Sequence, residues 1–329
     1  MASNSTRKVV LVTGGAGYVG SHACKALALA GYRPVTYDNL GRGHAWAVKW
    51  GPLERGDLLE PDRLSRAIRK HRPAAVLHFA ALAYVGESVA DPQRYYRNNV
   101  AGTIGLLEAM REHGVGKIVF SSTCAVYGVP RKVPIAEHHP QRPVNPYGHS
   151  KQMIEQLLRD HAAAYGLRSV SLRYFNAAGA DPDGEIGEAH DPETHLVPCV
   201  LEVAAGRKSR LALNGTDYAT RDGTCIRDYV HVSDLAEAHV LALRSLNRTN
   251  GAAAMNLGTG SGFSVREVIA AARRVTGRPI PVRAAPRRPG DPPALVADTR
   301  LARRALGWWP RHPDIHEIIA TAWGWMKRR

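Results

Sequence analysis

Cysteine is scarce in this chain, which has four among its 329 residues. The four, Cys24, Cys124, Cys199 and Cys225, lie far apart and form no CxxC pair. This spacing argues against a zinc site, a redox dithiol and a secreted disulfide framework. We therefore predict no metal site and expect a reducing, cytoplasmic environment.

Long hydrophobic runs are also missing. No apolar run reaches the roughly 18 to 20 residues that a membrane helix needs, and residues 1–8 are too short and polar for a signal peptide. The composition, 44% hydrophobic and 22% charged, is that of a globular protein. We therefore expect a soluble intracellular protein with no membrane partner. Because a domain averages roughly 150 residues, the length predicts two domains.

Acidic residues are few relative to basic ones. The chain has 29 Asp and Glu against 44 Lys and Arg, a net charge of +15, which would suit a polyanionic partner. The basic residues are scattered, however, and are not interleaved with a helix-turn-helix or zinc-finger pattern. We predict no nucleic-acid partner and a largely solvated basic surface.

Short apolar runs alternate with helical patterns through the first 180 residues or so. The apolar runs are typical of buried parallel strands, and the segments between them repeat apolar residues every three or four positions. Strands are predicted at 9–14, 33–39, 74–81, 117–123 and 168–175, and helices at 17–31, 61–71, 91–113 and 146–165. This order predicts an α/β fold with a doubly wound parallel (Rossmann) sheet. Beyond Gly179 the elements shorten, which predicts a smaller mixed α/β C-terminal domain.

A glycine-rich turn follows the first predicted strand. Gly14, Gly17 and Gly20 open the first helix, where backbone N–H groups and the helix dipole favour a pyrophosphate. Asp38 ends the second strand, where a carboxylate accepts the ribose hydroxyls of adenosine and repels a 2′-phosphate. NAD is therefore predicted over NADP. Asp57 is predicted to meet the adenine amino group, although an isolated Asp is also a common helix cap.

Tyr147 and Lys151 lie four residues apart on a predicted helix. Asn145 and Pro146 provide its N-cap and first-turn proline. A phenol has a reference pKa near 10, which is too high for a base at neutral pH. A nearby ammonium stabilises the phenolate and so lowers that pKa. We predict Tyr147 as the catalytic base, with Thr123 relaying a proton from a substrate hydroxyl.

Further motifs occur in the same order along nearly the whole chain. They are TGGAGYVGSH, DNL, HFAA with YVGES, NNVAGT, FSSTCAVYG, NPYGHSK, RYFNAAGA, DGTCIRDYVHVSDLAEAHV, NLGTG and APRRPGD. On these residues the chain resembles the extended short-chain dehydrogenase/reductase family and, within it, the UDP-sugar 4-epimerases.

The resemblance implies an NAD-dependent isomerase that inverts carbon 4 of UDP-glucose or UDP-galactose, and of the N-acetyl forms, through a 4-keto intermediate. Tyr147 would take the proton of the 4-hydroxyl while NAD takes the hydride. Lys151 would hold the nicotinamide ribose. The resemblance also implies an NAD-binding domain of residues 8–176 and 224–257, a UDP-sugar domain of residues 177–223 and 258–329, and a homodimer.

The resemblance also assigns contacts residue by residue. The implied catalytic residues are Thr123, Tyr147 and Lys151. Cofactor contacts are implied at Gly14, Gly17, Tyr18, Val19, Gly20, Asp38, Asn39, Asp57, Leu58, Phe79, Ala80, Ala81, Asn98, Ser121, Tyr147, Lys151 and Tyr174. Substrate contacts are implied at Thr123, Tyr147, Asn176, His195, Leu196, Asn214, Arg227, Arg288, Asp291 and Leu295.

Four positions depart from the pattern of relatives. Ala83 replaces a lysine that reaches the cofactor phosphates in several members, and Asn214 occupies a position that is often aromatic and stacks on uracil. His195 stands where an Asn is common. Leu295 lies where side-chain size sets the room around carbon 2 of the sugar, so UDP-N-acetylhexosamines remain possible substrates.

Three other functions stay open at this stage. Several segments also resemble the UDP-arabinose/UDP-xylose 4-epimerases. Nucleotide-sugar 4,6-dehydratases share the Tyr and Lys pair but place Asp-Glu after the Ser or Thr, whereas Cys124-Ala125 follows Thr123 here. A protein that only senses NAD would be expected to lose Tyr147 or Lys151.

Overall fold

The computed structural model describes residues 7–288 and 290–329, so residues 1–6 and Pro289 of the APRRPGD motif lie outside the described residues. The strands are β1 (Val9–Thr13), β2 (Arg33–Asp38), β3 (Leu53–Arg55), β4 (Ala75–His78), β5 (Lys117–Thr123), β6 (Arg168–Tyr174), β7 (Asn176–Ala178), β8 (Leu211–Asn214), β9 (Ile226–Arg227), β10 (Tyr229–His231), β11 (Ala252–Leu257), β12 (Phe263–Ser264), β13 (Val282–Ala285) and β14 (Ala294–Leu295).

The α-helices are α1 (Tyr18–Leu29), α2 (Pro61–His71), α3 (Val85–Ala90), α4 (Pro92–Tyr95), α5 (Gly102–Glu112), α6 (Pro146–Tyr165), α7 (Leu196–Ala204), α8 (Val232–Ser245), α9 (Val265–Thr276), α10 (Arg300–Leu306) and α11 (Ile315–Arg328). Short 3₁₀ helices cover Ala45–Ala47 and Cys124–Tyr127, and a π-helical segment covers Tyr96–Ala101.

The largest sheet has seven strands within the described residues, in the order β11-β6-β5-β4-β1-β2-β3. β1 pairs in parallel with both β2 and β4, so Thr13 at its end lies opposite Tyr37 and opposite His78. The chain thus turns to opposite sides of β1, and ligands of open α/β sheets bind at such a switch point. The predicted α/β fold with a doubly wound parallel sheet is confirmed.

The described residues divide into two compact units. The first comprises residues 7–122, 150–172 and 236–254. Its core is built from the strands and from apolar faces of helices, as in α2, where Leu64, Ala67 and Ile68 are buried at helical spacing.

The second unit comprises residues 123–149, 173–235 and the described part of 255–329. Its core packs α7, α9 and α11 around small sheets such as β13-β8. In α9 the Ser264 and Glu267 side chains cap the first turn reciprocally. The assignment of one domain to NAD and the other to UDP-sugar stays a prediction.

The predicted strands and helices agree with the structure apart from details. Strand 74–81 is shorter, because β4 ends at His78. Helix 91–113 is interrupted, because α4 and α5 are joined through the π-helical segment. Among the described helices, none is long and apolar enough to cross a membrane.

Candidate functional site

The glycine-rich turn connects β1 to α1. Gly14 has a φ of +73°, and a Cβ there would lie 2.5 Å from the backbone nitrogen of Ala80. A Cβ on Gly20 would lie 2.2 Å from the Gly14 carbonyl oxygen. Packing alone therefore requires both glycines. At Gly17, the N-cap of α1, a Cβ would meet only the Gly14 oxygen, at 3.3 Å, so its small size is better explained by the approach of a ligand to the helix N-terminus.

Asp38 lies beside this turn. Its Oδ2 accepts a hydrogen bond from the Ala16 amide at 3.0 Å, and its Oδ1 accepts one from the Leu40 amide at 2.8 Å. Burial raises the pKa of Asp38, and the two amides oppose that shift. Because a carboxylate has about four acceptor sites, both oxygens can also accept ribose hydroxyls.

The predicted adenine contact, Asp57, is tied to Asn39. Asn39 Nδ2 donates to Asp57 Oδ2 at 2.7 Å, and the Leu59 amide donates to Asp57 Oδ1 at 2.9 Å. Leu58 is buried in the core of the first unit. Asp57 thus combines the turn-forming role with a position near Asp38, since Tyr37 donates to the Asp57 carbonyl at 2.9 Å.

Other predicted cofactor residues cluster at strand ends and helix starts of this region. Tyr18 and Val19 open α1, while Phe79, Ala80 and Ala81 follow β4. Asn98 lies in the π-helical segment and donates to Asn99 Oδ1 at 2.9 Å. π-Helical turns of this kind are frequent at functional sites.

The start of α6 has the local structure that the sequence predicts. Asn145 Oδ1 accepts the Gly148 amide at 2.8 Å, and Pro146 is the first helical residue. A Cβ on Gly148 would lie 2.7 Å from the Ala125 carbonyl oxygen, so glycine lets the helix start approach the turn after β5. That approach brings the chain segments of Tyr147 and Thr123 together.

Lys151 lies one turn after Tyr147 and is buried. Its Nζ donates to the Ser121 carbonyl at 2.8 Å and lies 4.7 Å from the centre of the Phe120 ring. Burial lowers the pKa of Lys151 to about 7, and the Glu155 carboxylate opposes the shift. The ammonium is therefore poised to change charge near neutral pH.

Thr123 ends β5 and is buried. Its hydroxyl oxygen accepts the Ala125 amide at 3.1 Å and so caps the 3₁₀ helix that follows. Because a hydroxyl has a donor as well as two acceptor sites, this bond leaves the capacity for a proton relay. Tyr174 lies at the end of the neighbouring strand β6.

Three predicted substrate residues meet in the second unit. Arg227 on β9 forms a salt bridge with Asp291, and Leu295 on β14 lies opposite Arg227 in the parallel pair β14-β9. Arg227 also donates to the Ile226 carbonyl at 2.8 Å. Arg227 and Asp291, both predicted to contact the substrate, thus form an ion pair in this structure.

The remaining substrate positions lie on separate elements of that unit. Asn176 begins β7, Asn214 ends β8, and His195 is the N-cap residue of α7, whose first residue is Leu196. Arg288 is exposed. No contact given by the structure joins Asn214 or Arg288 to Arg227 among the described residues.

Sequence reasoning missed three buried polar groups that support the site. Ser122 donates to Glu155 Oε1 at 2.6 Å, and Glu155 lies one turn after Lys151 on α6. Asp228 accepts the amides of Thr259, Gly260 and Ala297 at 2.8 to 3.1 Å. The only sequence signals were a Glu four residues after Lys151 and an Asp inside the RDYVHV motif.

Comparisons with known proteins cover almost the whole chain. The family model described as "NAD dependent epimerase/dehydratase family" matches residues 10–258. A UDP-glucose 4-epimerase of Rhizobium leguminosarum bv. trifolii is 53% identical over 318 residues, covering 97% of each chain.

Solved structures match equally well. The crystal structure of UDP-glucose 4-epimerase from Brucella ovis in complex with NAD is 56% identical, with a TM-score of 0.94 over 96% of this chain and 98% of that one. A UDP-glucose 4-epimerase from Stenotrophomonas maltophila, with bound NAD and formylated UDP-arabinopyranose, is 42% identical, with a TM-score of 0.94 over 98% of each chain.

Proposed function

The chain belongs to the NAD dependent epimerase/dehydratase family, and from this premise we propose that it interconverts UDP-glucose and UDP-galactose by inverting carbon 4. The observation that carries the proposal is the start of α6, where Tyr147 and Lys151 occupy successive turns of a helix capped by Asn145. An epimerase needs one residue that moves a proton at the 4-hydroxyl oxygen, and the Tyr147 phenol has that chemistry.

The turn between β1 and α1 fits NAD. Gly17 leaves space at the helix N-terminus for a pyrophosphate, and the Asp38 carboxylate is held by two backbone amides for the adenosine ribose. When bound, NAD supplies the acceptor, and then the donor, of the hydride at carbon 4. Lys151 would hold the nicotinamide ribose.

The chain's own residues handle the proton. We assign removal of the 4-hydroxyl proton to the Tyr147 phenolate oxygen, with the Thr123 hydroxyl as relay and the Lys151 ammonium stabilising the phenolate. Ser121 orients Lys151 through its carbonyl, and Glu155 lies one turn further along the helix. After the ketone rotates, the Tyr147 hydroxyl returns the proton to the oxygen on carbon 4.

Positively charged side chains are needed to bind the diphosphate of the substrate, and we assign this role to Arg227 and Arg288. Arg227 is buried and paired with Asp291, so UDP would rearrange this ion pair, with phosphate replacing one carboxylate contact. Leu295 lies beside Arg227 in the sheet and is assigned to the sugar pocket.

Tyr147→Phe tests the proposal. The ring packing is retained and the base is lost, so turnover should fall by about 10² to 10⁴, with NAD content and UDP binding retained. The measurement is product formation from UDP-glucose and UDP-galactose, resolved by chromatography. Tyr165→Phe at the other end of α6 is the matched control and should keep parental turnover. Equal rates for both variants would refute Tyr147 as base.

The same assay separates the rival substrates. UDP-N-acetylglucosamine and UDP-xylose are offered in parallel, and the ratio kcat/KM is compared with that for UDP-glucose. A higher ratio for UDP-xylose would replace the hexose proposal by the pentose one. The homodimer stays a prediction, which light scattering of the purified protein would test.

A further inference from the structure

A cluster of two histidines and two glutamates lies in the second unit, in the loop that leads into α7. Its members are Glu188, His190, Glu193 and His195, spaced as E-x-H-x-x-E-x-H. One nitrogen or oxygen atom from each lies within 4.8 Å of the others. The spacing of the cysteines does not reveal this pattern of histidine and glutamate.

The side chains converge through specific atoms. His190 Nδ1 and His195 Nδ1 lie 3.0 and 2.8 Å from Glu188 Oε1, and His195 Nδ1 also lies 3.0 Å from Glu193 Oε1. His190 Nδ1 lies 3.7 Å from Glu193 Oε2. Both carboxylates are nearly buried, with 8% of each side chain exposed.

We propose that Glu188, His190, Glu193 and His195 bind a divalent transition-metal ion, with Zn²⁺ as the best match. Imidazole nitrogen and carboxylate oxygen are ligands of Zn²⁺, which binds them at about 2.0 to 2.2 Å in a tetrahedron whose edge is then about 3.3 to 3.6 Å. The nitrogen–oxygen spacings of 2.8 to 3.7 Å bracket that edge. Without a metal the two histidines pair with the two carboxylates, and the ion would replace the protons that these groups share.

The surrounding residues hold the ligands in place. Trp325 Nε1 donates to the Glu188 carbonyl at 2.9 Å, and a Cβ on Gly187 would lie 2.5 Å from the Trp325 ring, so the loop is packed closely on α11. The Glu193 carboxylate accepts the amides of Thr194 and His195 at 2.8 Å each. Such outer contacts orient metal ligands and strengthen binding.

A cavity adjoins three of the four side chains. The cavity, of about 70 Å³, is lined by Glu188, His190 and Glu193, together with Trp325 and Met326. At roughly 10 to 15 Å³ of such space for each water molecule, the cavity holds several waters beside these ligands. The proposal does not depend on the epimerase activity.

The test measures metal and not turnover, because His195 is also assigned to the substrate site. The full-length protein is treated with a chelator, desalted, incubated with Zn²⁺ alone and desalted again, and its zinc content is then measured by mass spectrometry. We expect about one Zn²⁺ per parent chain and at least about 100-fold weaker binding in His190→Gln, by competition with a zinc indicator. Parent protein without stoichiometric zinc would overturn the proposal.

Asp183→Asn is the matched control. It changes the neighbouring carboxylate group of Asp181, Asp183 and Glu185, the second set of metal-capable side chains found among the described residues. This variant should bind Zn²⁺ like the parent. Zinc loss there, with full retention in His190→Gln, would overturn the assignment.

His190→Cys keeps the test decisive if His190→Gln does not fold. This variant retains a ligand for the metal, and cobalt bound in place of zinc should show a thiolate-to-cobalt charge-transfer band that the parent lacks. A cobalt spectrum identical to that of the parent would show that residue 190 does not ligate and would refute the site.

Discussion

We predict that a single side chain, that of Asp38, sets the preference for NAD over NADP. Its carboxylate is positioned by the amides of Ala16 and Leu40, which hold its negative charge at the position predicted for the adenosine ribose. Asp38→Asn removes the charge and keeps one acceptor. We expect the preference for NAD over NADP to narrow by at least about tenfold, or about 1.4 kcal/mol.

The measurement for Asp38 is recovery of activity when apoenzyme is titrated with each cofactor. Asp62→Asn, an exposed acid in the first turn of α2, is the control and should keep the parental preference. Equal recovery of the parent enzyme by NAD and NADP would contradict the role of Asp38.

We expect His78 to lower the stability of the folded protein in acid. It is fully buried between Thr13 Oγ1 at 2.7 Å and Thr103 Oγ1 at 2.9 Å. Because Thr103 donates to the Asn99 carbonyl, its oxygen accepts from His78 Nε2, and Nδ1 accepts from Thr13. Burial, with a smaller effect of Lys151, lowers the pKa of His78 to about 3.

Stability should therefore fall as pH drops from 6.5 toward 3. In that window the unfolded chain binds a proton that the folded chain does not, which gives a slope of up to about 1.4 kcal/mol per pH unit from this residue. We expect His78→Gln to be less stable at pH 7 and to show a shallower decline in acid. The free energy of unfolding from urea titrations at several pH values measures this, and parallel curves for the two proteins would disprove it.

The position of α6 depends on the close packing of its first turn against the chain that follows β5. Gly148→Ala should gain up to about 1 kcal/mol from helix propensity, yet its Cβ would lie 2.7 Å from the Ala125 carbonyl oxygen. Overpacking of this kind costs about 1 to 3 kcal/mol, so we expect net destabilisation and slower turnover through displacement of Tyr147.

Gly324→Ala in α11 is the matched control, because a Cβ there meets no atom within 4 Å. This variant should be more stable by about 0.5 to 1 kcal/mol. Thermal unfolding measures both variants, and stabilisation by Gly148→Ala would show that the helix does not pack closely at this point.

The elements that local sequence signals define were predictable. The apolar runs predicted β1, β2 and β5, and Asn-Pro predicted the first residue of α6, because burial and capping act through near neighbours. The Arg227–Asp291 pair joins residues 64 apart, and Ser122–Glu155 joins residues 33 apart. No local pattern encodes such pairs, since they form only when the chain is packed.

On the scale of the whole molecule, the charge of +15 is spread rather than concentrated. Some of the basic residues are paired with acids, as in Lys208–Glu202 at 2.6 Å and Arg287–Asp217 at 2.8 Å. We expect weak binding to DNA at about 50 mM salt, without sequence preference, and its loss by about 200 mM. Gel shifts with two unrelated duplexes check this, and sequence-selective binding that persists at the higher salt would contradict it.

The buried carboxylate of Asp228 ties together stretches of chain that the ribosome makes at different times. Its partners at Thr259 and Gly260 emerge shortly after it, whereas Ala297 follows 69 residues later. Asp234 likewise accepts hydrogen bonds from the amides of Arg311 and His312, which are also translated much later. Until those partners are translated, both acids must stay hydrated, so the second unit can reach its final packing only after His312 has been synthesised. A ribosome stalled near residue 290 would hold a nascent chain whose second unit is still incomplete.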